Sequence, residues 1–418
     1  MSPRVFRFRS LMLHWFGFCA ICCVASRREV QAPQAKSSHS QSERTKLGVD
    51  VLEQENFAPL RGKRVGLITN QTGVDSKGRR TIDVLAHAGN VQLVALFSPE
   101  HGIVGQADAL VANTADSATG LPIYSLYGET RRPTDAMLKG IDLLVFDMQD
   151  AGVRFYTYIS TLAYCMEEAA KHHIEFLVLD RPNPLGGEVI EGPMLDIDRL
   201  SFTGYFPMPV RYAMTLGELV QMFNAENNIG ADLHVVAMKD WRRTKPYDQT
   251  GLRWIPPSPN LRTLNAASLY PGIEILQAGG VSVGRGTDTP FELFGAPWIQ
   301  APQLTAELNR RAAPDVRFQT KLFTPDDGLY KGQYCQGVSI IITNRDELAS
   351  MRLGLEIVAA LHRLYPQQFH VERIIELLGS HATIEQLERG DDPASIIARW
   401  SGDLEKFRAV RMKYLLYH

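Results

Sequence analysis

Arg64-Val65-Gly66-Leu67-Ile68-Thr69 runs directly into Asn70-Gln71-Thr72-Gly73, and this join of an apolar run to a polar turn decides the fold. A short, continuous run of Val, Leu and Ile without polar alternation is the pattern of a strand covered on both faces of a parallel sheet. The same pattern recurs at Val91 to Phe97, Ile141 to Phe146, Glu175 to Leu179 and Leu233 to Met238. Helical patterns separate these runs at Thr81 to Ala88, Pro133 to Lys139 and Ser160 to His173. Another helix is expected from Thr215, where Glu218 completes a capping box and Leu219, Val220 and Phe223 share one face. Strands alternating with helices predict an open α/β sheet over residues 47–240.

Outward from that core the pattern changes. Residues 241–300 are rich in Pro, Gly and aromatic side chains and read as a connecting region lining a cleft. Val316 to Phe323 and Gly337 to Thr343 read as strands, Glu347 to Tyr365 as a long helix, and Ser380 to Tyr417 as a helical tail. Residues 301–418 are therefore expected to form a smaller α+β domain. At the other end, Arg4, Arg7 and Arg9 precede an apolar run from Leu11 to Ala25, the layout of a signal peptide over residues 1–25 with cleavage near Ala25 or Ser26. The run falls short of the ~20 apolar residues of a spanning helix, so no membrane span is expected after cleavage. A periplasmic or secreted location follows, with Cys19, Cys22 and Cys23 leaving a lipid anchor open. Residues 26–46 are polar and aperiodic, as in a linker.

Composition narrows the function classes. The 418 residues carry 44 Lys+Arg against 46 Asp+Glu, a net charge of −2, which gives no electrostatic footprint for nucleic acid. Only Cys165 and Cys335 lie beyond the leader, so neither a disulfide framework nor a cysteine metal site is expected. No Gly-x-Gly-x-x-Gly follows the first strand and there is no Walker loop, so no nucleotide cofactor is expected. His101, Asp147 and Asp150 could in principle ligate a metal, but no His-x-x-x-His or His-Glu-x-x-His supports one, and none is assigned.

In an open α/β sheet, ligands bind outside the carboxyl ends of the strands. Here those ends read Asn70-Gln71-Thr72-Gly73, Ser98-Pro99-Glu100-His101-Gly102, Asp147-Met148-Gln149-Asp150 continuing through Arg154-Phe155-Tyr156-Thr157-Tyr158, and Asp180-Arg181-Pro182-Asn183-Pro184. Any one could be an ordinary turn; four in succession favour one shared polar cleft. Carboxylates, amides, tyrosines and arginines are the inventory of a carbohydrate site, and glycosidases commonly pair two carboxyl groups. Glu100 is the candidate acid, with Asp147 and Asp150 as candidate partners that could instead orient Arg154 or Arg181. A further cluster, Gly284-Arg285-Gly286-Thr287, follows Pro256-Pro257-Ser258-Pro259-Asn260, and its glycines allow close backbone approach while Arg285 offers a bidentate clamp.

These motifs, with Cys335-Gln336-Gly337-Val338 and Tyr414-Leu415-Leu416-Tyr417, resemble the peptidoglycan exo-β-N-acetylmuramidases of the NamZ type, long carried as a domain of unknown function. The resemblance covers residues 47–418. It implies a Rossmann-like N-terminal domain, a smaller C-terminal domain and a cleft between them. It also implies release of N-acetylmuramic acid from non-reducing ends of peptidoglycan fragments, with the acid at Glu100. One position departs from the pattern: Tyr212 follows Pro209-Val210-Arg211 where the family suggests His. The lactyl carboxylate of such a substrate needs a cation, and Arg154, Arg181 and Arg285 are the candidates. Tyr127, Phe155, Tyr156 and Tyr158 offer flat faces to a sugar ring, and Asn70, Gln71, His101, Gln149, Asn183, Ser258, Asn260 and Thr287 complete the candidate binding set. Two other readings of the same cleft stay open: a metal-dependent amidohydrolase or esterase acting on cell-wall fragments, and a non-catalytic muropeptide-binding protein.

Overall fold

The computed structural model describes residues 44–106, 112–311 and 315–418. The leader expected at 1–25 and residues 26–43 of the expected linker lie outside the described residues. The last linker residues belong to the folded unit: Lys46 forms an antiparallel bridge with Lys239, and the Thr45 N–H donates to the Thr250 carbonyl.

The strands are β1 (Arg64–Thr69), β2 (Gln92–Ser98), β3 (Thr114–Ala115), β4 (Pro122–Ser125), β5 (Leu143–Asp147), β6 (Glu175–Leu179), β7 (Glu191–Met194), β8 (Pro209–Arg211), β9 (Leu233–Val236), β10 (Leu293–Ala296), β11 (Val316–Phe323) and β12 (Cys335–Ile342). The main sheet has the order β3-β4-β2-β1-β5-β6-β9, parallel throughout except for β3 at one edge. Counting its parallel strands in chain order gives the 3-2-1-4-5-6 arrangement of Rossmann folds, with the switch in direction between β1 and β5.

The apolar runs are continuous because alternate residues serve two layers. Val65, Leu67, Leu96, Leu143, Val145, Leu177 and Leu179 pack with helices α1 (Gly48–Gln54) and α2 (Thr81–Ala86). Ile68, Phe97, Leu144, Phe146, Phe176 and Val178 face the opposite way, onto α4 (Tyr158–Lys171) and α5 (Leu216–Glu226); the short α3 (Asp135–Leu138) lies between. The expected capping box opens α5: Thr215 Oγ1 accepts from the Glu218 N–H, and the Glu218 carboxylate accepts from the Thr215 N–H.

The second layer of apolar residues continues without a break into the C-terminal part. There β10-β12-β11 form an antiparallel sheet beside α6 (Leu264–Ile273), α8 (Ala301–Arg311) and α9 (Ser350–Leu364), with α7 (Ile275–Ala278), α10 (Ile375–Leu378), α11 (His381–Glu388) and α12 (Pro393–Arg411) completing it. The stretch read as a connecting region is thus divided. Residues 241–263 run over the carboxyl ends of the main sheet, whereas α6 and β10 are buried parts of the C-terminal core. Among the described residues, no helix is long and apolar enough to cross a membrane.

Candidate active site

Register brings the polar strand ends level. Thr69 of β1 pairs with Asp147 of β5, and Ile68 with Phe97 of β2, so the turns at Asn70, Glu100 and Gln149 leave the sheet side by side. Glu100 is half-buried. Its Oε2 accepts a 2.5 Å hydrogen bond from Thr157 Oγ1, one residue before α4 begins. His101 is buried in a left-handed conformation with φ of 70°, which turns the chain sharply behind the glutamate.

Behind Glu100 stands a polar wall. Asn70 Nδ2 donates to the Tyr158 hydroxyl at 2.8 Å, and that hydroxyl donates to the Pro257 carbonyl at 2.7 Å. Gln71 Nε2 donates to the Pro256 carbonyl at 2.8 Å, while its buried Oε1 has no hydrogen-bond partner among the described residues. Asn70, Gln71 and Tyr158 therefore tie the end of β1 to the Pro256-Pro257 strap. Ser258 and Asn260 are buried where that strap turns towards α6, with the Leu261 N–H donating to the Ser258 carbonyl.

Asp150 is the second carboxylate of this neighbourhood. Its Oδ2 accepts from the Tyr212 hydroxyl and, at 2.8 Å, from the Gly152 N–H; Oδ1 is buried without a partner among the described residues. Burial pushes its pKa up to about 6, against the Tyr212 and backbone donors that favour the charged form. Tyr212 is fully buried, so the residue that departs from the family pattern holds one oxygen of Asp150.

Tyrosines connect the two carboxylates to the C-terminal part. Burial raises the pKa of Tyr158 and Tyr270, and both also feel the negative charges of Glu100 and Asp150. Ring centroids are 4.7 Å apart for Tyr156–Tyr158, 6.1 Å for Tyr156–Tyr270 and 4.9 Å for Tyr270–Phe291. The Arg285 guanidinium sits 5.2 Å from the Phe291 ring and donates to Glu274 Oε1 at 2.7 Å. Thr287 closes the Arg285 turn by donating through Oγ1 to the Gly284 carbonyl. The Tyr156 hydroxyl is buried with no partner among the described residues.

Several expected site residues are corrected by their surroundings. Asp147 is fully buried and bidentately paired with Arg181, at 2.6 Å to Nε and 2.9 Å to Nη2, and Thr81 Oγ1 donates to it as well. It braces the sheet and is not placed to act on a substrate. Arg154 is entirely buried, its guanidinium donating to the carbonyls of Pro193, Met208, Leu377 and Leu378. It is not a carboxylate clamp. Asn183 is buried with its amide donating to the Met214 carbonyl and its Oδ1 accepting from the Leu185 N–H. Gln149 donates to the Asp150 and Pro182 carbonyls. Both hold loops. Tyr127 follows β4 and packs beside Phe202 and the Arg131 guanidinium.

Other residues of this neighbourhood were missed. Thr157 lies inside a quoted motif between two tyrosines, three residues before the helix expected from Ser160. Tyr270 lies in a helix containing Pro271, within a stretch whose Pro and Gly content suggested loop.

Comparison with known proteins agrees with this architecture. The family model described as exo-beta-N-acetylmuramidase NamZ, N-terminal, matches residues 65–265, and its C-terminal counterpart matches residues 268–417. The peptidoglycan beta-N-acetylmuramidase NamZ of Bacillus subtilis (strain 168) is 41% identical over 391 residues, covering 92% of this chain and 94% of that protein. Two crystal structures of DUF1343 family proteins from Bacteroides fragilis NCTC 9343 superpose closely. One has a TM-score of 0.83 at 41% identity, the other 0.71 at 32%, each covering 90% of this chain and 99% of its own. The chain belongs to the NamZ exo-β-N-acetylmuramidase family.

Proposed function

We propose that this protein is an exo-β-N-acetylmuramidase, a glycoside hydrolase that releases N-acetylmuramic acid from the non-reducing end of peptidoglycan fragments. The observation that carries this reading is Glu100, held by Thr157 at a strand end and sharing a tyrosine-lined neighbourhood with Asp150, in a chain of this family. Thr157 occupies Oε2, so Oε1 is the oxygen left to carry the proton given to the glycosidic oxygen. Asp150, with Oδ2 fixed and Oδ1 unpaired, is the carboxylate that supports the developing positive charge or the incoming water. Arg285, near the tyrosines rather than locked in the core, is the cation that meets the lactyl carboxylate.

Export accompanies this reading: peptidoglycan lies outside the cytoplasmic membrane, and the basic start followed by a short apolar run suits a cleaved leader. A mature N-terminus near Ser26 in the periplasm or medium is the expected result, and soluble cytoplasmic protein retaining Met1 contradicts it. The activity itself is tested by incubation with a chromogenic N-acetylmuramic acid glycoside beside its N-acetylglucosamine analogue. Release from the first with little from the second is expected. Ester turnover or a metal requirement with no sugar release would replace the glycosidase reading.

A further inference from the structure

A concavity opens at the switch between β1 and β5, and its lining includes none of Glu100, Asp150, Thr157 and Arg285. It is a cavity of about 240 Å³ lined by Arg44, Lys77, Arg181, Arg253, Tyr247 and Gln149 among others. Four cations thus border one small space. Asp75, the one acidic side chain lining it among the described residues, is already engaged by Arg79 at 2.6 Å.

Arg181 is the decisive member. The residue is 4% exposed, and its Nε and Nη2 are spent on Asp147 and the Val74 carbonyl. Its Nη1 makes no hydrogen bond among the described residues, which leaves one donor of an otherwise engaged guanidinium available to a ligand. Burial opposes its charge, and Asp147 outweighs that effect, so Arg181 remains cationic. Arg44, Lys77 and Arg253 are exposed and form no ion pair among the described residues. Like charges gathered around a concavity repel one another, and an anion bound between them relieves that repulsion. The switch point of a Rossmann sheet is also where this fold places ligands.

We infer that this cavity is an anion-binding site, distinct from the Glu100 cleft, that takes a phosphate or carboxylate group. Size sets the class of ligand. Sites for whole small molecules run to roughly 300–1,000 Å³, so this one accommodates an anionic group rather than a saccharide. The inference does not depend on which glycoside the Glu100 cleft hydrolyses, because binding is measured directly.

The test is calorimetry on the whole protein with two probes, inorganic phosphate and D-glutamate, at millimolar concentration. Lys77→Gln combined with Arg253→Gln is the variant of choice, since both side chains are exposed and Arg181 stays in its buried pair. Saturable binding of at least one probe is expected, weakened about tenfold or more in the double variant, as loss of charge-assisted bonds requires. Hydrolysis of the muramic acid glycoside should be unchanged. Phosphate binding alone assigns a phosphate-bearing ligand, and D-glutamate binding assigns a carboxylate. No binding of either probe, or equal binding by parent and variant, overturns the inference.

Discussion

Asp150 is buried, and its pKa of about 6 gives the site a measurable signature. A carboxylate that works in its ionised form gains activity as pH rises through that value, so kcat should climb through about pH 6. Asp150→Asn should remove this acid limb along with most of the activity. Tyr212→Phe deletes a donor that favours the charged form, so the limb should move to higher pH; a profile unchanged in the variant would separate Asp150 from the chemistry. The sign for stability is opposite. Between the unfolded value of about 3.9 and about 6 the folded chain holds a proton that the unfolded chain has released, so the contribution of Asp150 to stability declines as pH rises through that window. Arg285→Met should weaken muramic substrates by about 1.5–3 kcal/mol in kcat/KM while leaving any N-acetylglucosamine activity nearly unchanged. Equal losses on both sugars would make Arg285 a support for Glu274 and the fold. Glu100 was legible in the sequence because a carboxylate directly after an apolar strand has a fixed place in an α/β sheet. Asp147, Arg154 and Arg181 were not, because a strand-end motif does not show which polar side chains turn inward to satisfy one another.

Elements were legible in proportion to their periodicity. β1 and β6 fall where their apolar runs begin and end, and the other three expected parallel strands are displaced by one or two residues. β4 escaped notice because Pro122-Ile123-Tyr124-Ser125 is short, opens with proline and carries only one buried aliphatic residue. α6 escaped for another reason: it is buried on most sides and contains Pro271 and Gly272, so it has neither a polar face nor a clean helical composition. The capping box of α5 was visible, and the structure shows that it does more than cap. Thr215 Oγ1 also donates to Asp180 Oδ2 at 2.7 Å, and Glu218 Oε1 accepts from Arg243 at 2.6 Å and from the Leu416 N–H at 2.9 Å. Thr215→Ala should therefore cost about 1–2 kcal/mol in urea unfolding, with Thr215→Ser recovering most of it and activity per folded molecule unchanged. A loss below a few tenths of a kcal/mol would mean that water replaces the hydroxyl.

At the scale of the molecule, the two parts are joined through the core. The layer over α4 and α5 merges with the C-terminal apolar cluster, and Arg154 reaches across it to the last carbonyls of α10. Gly379, which ends that helix with φ of 67°, lies against the guanidinium; a Cβ there would approach Arg154 Nη2 to 3.1 Å. The tail closes the same structure, with the Tyr417 hydroxyl donating to Asp180 Oδ2 at 2.6 Å. Arg154→Met leaves four carbonyls without their donor and should destabilise by about 3 kcal/mol or more, whereas Arg285→Met, which removes a partly exposed guanidinium with Glu274 as its ion-pair partner, should cost less. That contrast separates an arginine that fastens the two parts from one that meets substrate. The proposed function rests on one proton donor, Glu100, held by Thr157 at a strand end. The most direct measurement is the rate of Glu100→Gln on a natural muramic disaccharide and on a glycoside with a good leaving group, alongside its melting curve. A fall of about 10²–10⁴-fold on the disaccharide, a smaller loss on the activated glycoside and an almost unchanged melting temperature are expected. A folded variant that hydrolyses the disaccharide at the parent rate would contradict the role given to Glu100.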